Sequence, residues 1–149
     1  MKTSLKLTLL NVEDQGFHIF IKAYINGRVA NLLVDTGASK TVFDTNRIGK
    51  FAELKSMQKN ENISTGLGTN SMKGHTILIK KMQIGLLKLN NYEAFLLDLS
   101  HVNDTYAKLK YKELDGIIGG DILAAFHAVI NYSAKTLVLN FKVSPKSKT

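Results

Sequence analysis

The sequence predicts an all-β fold, a small closed or nearly closed barrel carrying one or two short helices. Three observations point there. Apolar and polar residues alternate at period two along most of the chain, as on half-buried strands. Asn26–Gly27 stands between two such runs, and this dipeptide tolerates the positive φ that a two-residue hairpin turn needs. The length of 149 residues suits one domain, large enough to bury a core without staples. We expect that single domain to fill residues 1–149, with its core over residues 17–142.

Taken in order, Phe17, Ile19, Ile21, Ala23 and Ile25 alternate with His18, Lys22 and Asn26 and form the first core strand. After the turn, the return strand runs from Arg28 to Val34 and delivers Asp35 at its end. Gly37 lets the chain bend, and Thr41–Phe43 restart an extended segment. Residues 45–58 can form a short helix with Ile48, Phe51, Ala52 and Leu54 on one side. STGLGTNSMKG, residues 64–74, reads as a glycine-rich hairpin tip or, in functional terms, a mobile covering loop. It is not a phosphate loop, because the Lys-Ser/Thr pair and the following helix are missing.

Alternation resumes over residues 75–89 through Ile77, Ile79, Met82 and Ile84, with a turn at Gly85. Another strand covers Tyr92–Leu97, and residues 98–112 read as polar loop with one helical turn. In DGIIGGDILAAFHAVI, residues 115–130, a short apolar strand leads into a helix with Asp121 as its N-cap. INYSAKTLVLNF closes the fold as a hairpin turning at Ser133–Ala134–Lys135. The tail over residues 144–149 is basic and expected to be disordered.

Composition narrows the partners. Twenty basic and 12 acidic residues leave a net charge of +8. The lysines are scattered from Lys2 to Lys148, whereas a nucleic-acid binder concentrates them on one face, so nucleic acid is not the expected partner. The opening MKTSLKLTLLNVED is too short and too polar for a signal peptide's apolar region, being broken by Lys6 and Thr8. No run approaches a membrane span, and we expect a cytoplasmic protein with no membrane partner. With no cysteine there can be no disulfide and no thiolate metal site.

One residue stands out. Asp35 follows Leu32, Leu33 and Val34, and a charge at the end of such a run is costly to bury. An aspartate that bonds nearby backbone at a turn would be the ordinary explanation. Against it stand the dry strand before it and the small Ala38 and Ser39 beside it. A second apolar-apolar-glycine unit, Ile117–Ile118–Gly119, could also pack on the Asp-bearing loop.

Asp35–Thr36–Gly37–Ala38–Ser39, the glycine-rich segment, and Asp115–Gly116–Ile117–Ile118–Gly119–Gly120–Asp121–Ile122–Leu123 stand in this order. Together they resemble the retropepsin-like aspartic proteases, the single-domain branch of the pepsin clan, and the Ile-Asn-Tyr hairpin is similar to that of bacterial members. The resemblance spans roughly residues 17–142. It implies the acid-protease barrel and an aspartic endopeptidase acting on a peptide or protein substrate, with no cofactor and no metal.

The chemistry such a family performs needs two carboxylates. One must activate water and the other must protonate the carbonyl oxygen, and two that lie close share a proton because both cannot readily ionise. This chain holds one Asp-Thr-Gly, so the resemblance implies a symmetric homodimer with Asp35 of each copy at the two-fold axis. Thr36 would lock the pair across the axis, and Gly37 would let water or substrate approach. Ala38 and Ser39 would line the cleft, and Thr65, Gly66, Leu67 and Gly68 would close over an extended peptide bound by strand addition. Ile117, Ile118 and Gly119 read as structural support beneath. Many viral members carry an acidic residue where Ser39 stands and an arginine where Gly120 stands. The dimer would then draw on the N-terminal segment Leu5–Leu10 or the last strand. The competing expectations are a dimer of the same fold that binds or organises peptides without hydrolysis and, more remotely, a basic adaptor for nucleic acid. His18, His75, His101 and His127 show no metal spacing and no nucleophile elbow beside them.

Overall fold

The computed structural model describes residues 1–54, 57–60 and 74–143. Strands β3 (Phe17–Ile25) and β4 (Arg28–Val34) form the hairpin expected around Asn26–Gly27, and both turn residues take positive φ, 50° and 83°. Their inward positions are fully dry. Ile21, Ala23, Ile25, Ala30 and Leu32 are at most 1% exposed.

β4 does not meet the next strand in sequence. β9 (Gly116–Ile118) lies between β4 and β5 (Val42–Asp44), parallel to the first and antiparallel to the second. β5 in turn pairs with β8 (Leu87–Leu97), which forms a long hairpin with β7 (Gly74–Ile84) around Gly85 at φ 61°. β7 returns to β3 through Tyr24↔Gln83 and Ile25↔Met82, so the ring β3-β4-β9-β5-β8-β7 closes. This is the expected barrel, and closure removes the sheet edges that would otherwise stay unpaired. β2 (Thr8–Asn11) and β6 (Met57–Asn60) extend it beside β3 and β7.

A separate three-stranded sheet joins the two ends of the chain. β1 (Lys2–Lys6) pairs with β11 (Thr136–Asn140), which forms the expected closing hairpin with β10 (Val129–Asn131). The last strand and the start of the Leu5–Leu10 segment, named as alternative dimer contacts, thus pair with each other within one chain.

Several expectations need correction. The helix expected over residues 45–58 is only a 3-10 turn at Ile48–Lys50. Ile48 and Phe51 are buried as expected, but Leu54 is exposed. By Met57 the chain has become strand, because the open edge of β7 offers a ladder that a marginal helix containing Gly49 cannot match. Conversely, the one expected turn within residues 98–112 is the full helix α1 (Ser100–Lys108). Its inward residues, Asn103 and Tyr106, are too few and too polar to show an apolar stripe. Asn103 is nonetheless clamped to both backbone groups of Leu114, and Tyr106 packs with Phe20, Leu99 and Leu114. Residues 2–11 also pair, outside the expected core range. In α2 (Gly120–Ala125) the capping position belongs to Gly119 rather than Asp121, whose side chain has another task. The covering-loop residues Thr65, Gly66, Leu67 and Gly68, and the tail 144–149, lie outside the described residues.

Candidate active site

Asp35 is the first residue beyond β4. Its N–H donates to the Ile118 carbonyl at 3.0 Å, carrying the β4–β9 ladder one step past the strand. The side chain then turns back locally. The Gly37 N–H donates to Asp35 Oδ1 at 2.9 Å, and the Ala38 N–H donates to the Asp35 carbonyl at 3.2 Å. This is the aspartate turn that Asp-Thr-Gly favours. It fixes one carboxylate oxygen and leaves the other without a partner among the described residues. A Cβ on Gly37 would lie 3.3 Å from Oδ1, a tight contact that would press on the carboxylate, and glycine avoids it. Asp35 is half-buried, while Thr36 and Gly37 are exposed. The Thr36 hydroxyl makes no hydrogen bond among the described residues.

The loop that follows rests on the glycine turn after β9. The Gly120 N–H donates to the Ala38 carbonyl at 2.7 Å and the Asp121 N–H to the Ser39 carbonyl at 3.1 Å. Packing is so close that a Cβ on Gly119 would fall 2.6 Å from the Lys40 carbonyl oxygen and 2.7 Å from that of Ala38. Gly119 therefore supports the site by being absent as a side chain. Ile118 lies in the core, and Ile117 packs from the other face against the cluster under α1.

A brace behind the loop was not legible. Thr41 is completely buried, and its N–H and hydroxyl both donate to Asp121 Oδ1, at 2.9 and 2.8 Å. The Thr41 oxygen accepts the Gly119 N–H at 3.1 Å, and the Tyr92 hydroxyl donates to Asp121 Oδ2 at 2.7 Å. Burial pushes the Asp121 carboxyl up, but the hydrogen bonds from Tyr92 and Thr41 outweigh it and hold it below the usual carboxylate range. Tyr92 is pushed far above the usual phenol range, first by burial and then by donating to Asp121. The one sequence signal was an acidic residue directly after Gly119–Gly120 in an otherwise apolar run, which we assigned to a helix cap.

The middle of β4 is pinned as well. Asp115, 4% exposed, accepts the Asn31 N–H at 2.8 Å and the Arg47 Nε–H at 2.7 Å, and Arg47 also pairs with Glu113. Burial works against the Arg47 charge, and Asp115 beside it more than offsets this. Next to this pair, Asp44 accepts from Asn46, Leu99 and Asn103. Both strands that flank β9 are thus tied down at the Gly116 end of β9, away from Asp35. Among the described residues no group of three or more His, Asp or Glu side chains could hold a metal, and no helix is long and apolar enough to cross a membrane.

One carboxylate with a fixed and a free oxygen can accept a proton from water. Protonating the far side of a substrate needs a second acid. The profile of a family described as aspartyl protease matches residues 21–122, which contain every element of this site. In structure the chain is similar to a retropepsin-like aspartic protease from Rickettsia conorii, with TM-score 0.59, 20% identity, and coverage of 95% of this chain and 91% of that one. It is also similar to the retroviral protease-like domain of Ddi1 from Leishmania major, with TM-score 0.55, 13% identity, and coverage of 89% and 98%. At these identities the likeness is one of fold. No curated protein matches the sequence significantly.

Proposed function

The chain belongs to the aspartyl protease family, and from that premise we propose that it is an aspartic endopeptidase whose site is completed by a second copy of itself. The observation that carries the proposal is Asp35. It stands half-buried at the end of β4, with Oδ1 held by the Gly37 N–H and, beside it, the exposed Thr36 hydroxyl, which has no partner among the described residues.

The chain supplies one such carboxylate, and the reaction needs two. Two copies meeting at Asp35 provide the pair. In that pair one carboxylate takes a proton from water as the oxygen attacks the scissile carbonyl carbon. The other, protonated, gives its proton to the carbonyl oxygen. Transfer of a proton to the amide nitrogen then lets the carbon–nitrogen bond break. The exposed Thr36 hydroxyl suits a hydrogen bond to the other copy's loop, which would hold both carboxylates in register without moving the backbone. Ala38 and Ser39 have their carbonyls engaged on the Gly119–Asp121 turn, so this strip is held rigid where an extended peptide would lie.

The test is cleavage of a diverse peptide library, read by mass spectrometry from about pH 3.5 to 7.5, with wild type beside Asp35→Asn. Cuts made by wild type alone, with both proteins equally folded, are the expected result. Cuts that persist in Asp35→Asn would overturn the assignment. No cuts at any pH from a dimeric sample would favour a peptide-binding dimer instead.

A further inference from the structure

Roughly 20 Å from Asp35, counted along β4 at the usual rise per residue, the surface opens into a groove of about 790 Å³. Its walls are the β3–β4 turn, the chain after the 3-10 turn, and β7. Three exposed cations line it, Arg28, Lys50 and Lys80, and none is in an ion pair among the described residues. Leu54 and Leu78, 56% and 39% exposed, line the same groove. Among the described residues the lining holds one acidic side chain, Glu53, and it already has a partner.

The base of the groove is fixed by Asn26. Its Nδ2 donates to the Phe51 carbonyl at 2.8 Å, its Oδ1 accepts the Lys81 N–H at 3.0 Å, and its own N–H donates to the Lys81 carbonyl at 2.8 Å. One turn residue thus holds all three walls together, so the groove exists before anything fills it.

We propose that this groove docks an acidic peptide segment of another protein, with apolar side chains seated on Leu54 and Leu78 and carboxylates meeting Arg28, Lys50 and Lys80. Charge complementarity selects the occupant, since three cations that make no ion pair among the described residues line a recess with a single acidic side chain among its described lining. The exposed leucines narrow it further. A nucleic acid needs cations spaced along its phosphates and gains nothing from exposed leucines among them. An acidic chain with interspersed apolar residues meets both features, and the net charge of +8 steers it inward. The groove and Asp35 lie at opposite ends of β4, so a partner held here leaves the candidate catalytic loop free. The inference stands apart from the protease reading.

The test is fluorescence anisotropy of a labelled dodecapeptide of alternating Asp/Glu and Leu/Phe against the full chain. We expect saturable binding that weakens at least about tenfold in Arg28→Glu/Lys80→Glu. Lys108→Glu/Lys112→Glu, the same charge change elsewhere, should alter it less than about twofold. Equal losses in both variants would mean diffuse attraction and overturn the proposal. So would equally tight binding of the peptide with its apolar residues replaced by serine, or of a dT dodecamer with the same sensitivity to Arg28 and Lys80. If the first variant does not fold by circular dichroism, amide shifts of the wild type on titration decide. Shifts gathered at Arg28, Lys50, Leu54, Leu78 and Lys80 uphold the site, and shifts gathered elsewhere overturn it.

Discussion

Tyr92, Thr41 and Asp121 show how few atoms hold the Asp35 loop in place. Tyr92→Phe removes one half-buried hydrogen bond and should cost about 1 kcal/mol in urea unfolding. Since Asp121 positions the loop through Thr41, the substitution should also lower kcat more than it raises KM. The same carboxylate makes stability depend on pH. Its folded pKa is depressed, so its contribution is complete above the ordinary aspartate value of about 3.9 and is lost as pH falls through the lower folded value. The stability difference between wild type and Asp121→Asn should therefore be constant near neutrality and shrink below about pH 4. A difference that instead grew toward acid would contradict the charged form shown by these hydrogen bonds.

Strands and turns carry the next set of consequences. Gly119→Ala places a methyl group against two backbone carbonyls that have no freedom to rotate away. We expect it to cost about 1–3 kcal/mol and to reduce cleavage further by displacing residues 38–40. Arg47→Met strands Asp115 in the core with only backbone to answer it, and about 3 kcal/mol should be lost, measured by urea unfolding. What was legible at this scale followed one rule. Strands with one dry face, such as Phe17–Ile25 and Arg28–Val34, announce themselves by alternation, and Asn26–Gly27 marks its turn through the φ it must adopt. Helix α1 did not, because Asn103 and Tyr106 earn their burial from distant partners, Leu114, Asp44 and His18, which no local pattern reveals. The helix expected over residues 45–58 failed for the converse reason, its local pattern being overruled by the waiting edge of β7.

At the scale of the whole molecule, Asp35 and its supporting glycines were legible as a motif, while the brace behind them depends on side chains brought together from residues 41, 92 and 121 by barrel closure. If two copies make the site, specific activity should rise with protein concentration in the range where sedimentation shows dissociation. Strict proportionality between rate and concentration through that range would point to a site within one chain.

The sheet that joins the chain ends has a mechanical consequence. Met1 and Phe141 exchange hydrogen bonds at the outer end of the antiparallel β1–β11 ladder. A force drawing the two ends apart meets the Lys2↔Asn140 pair first and the Lys6↔Thr136 pair last. The ladder is loaded as a zipper, not in shear, so it peels pair by pair at low force while the closed barrel, lying beyond it, stays unstressed.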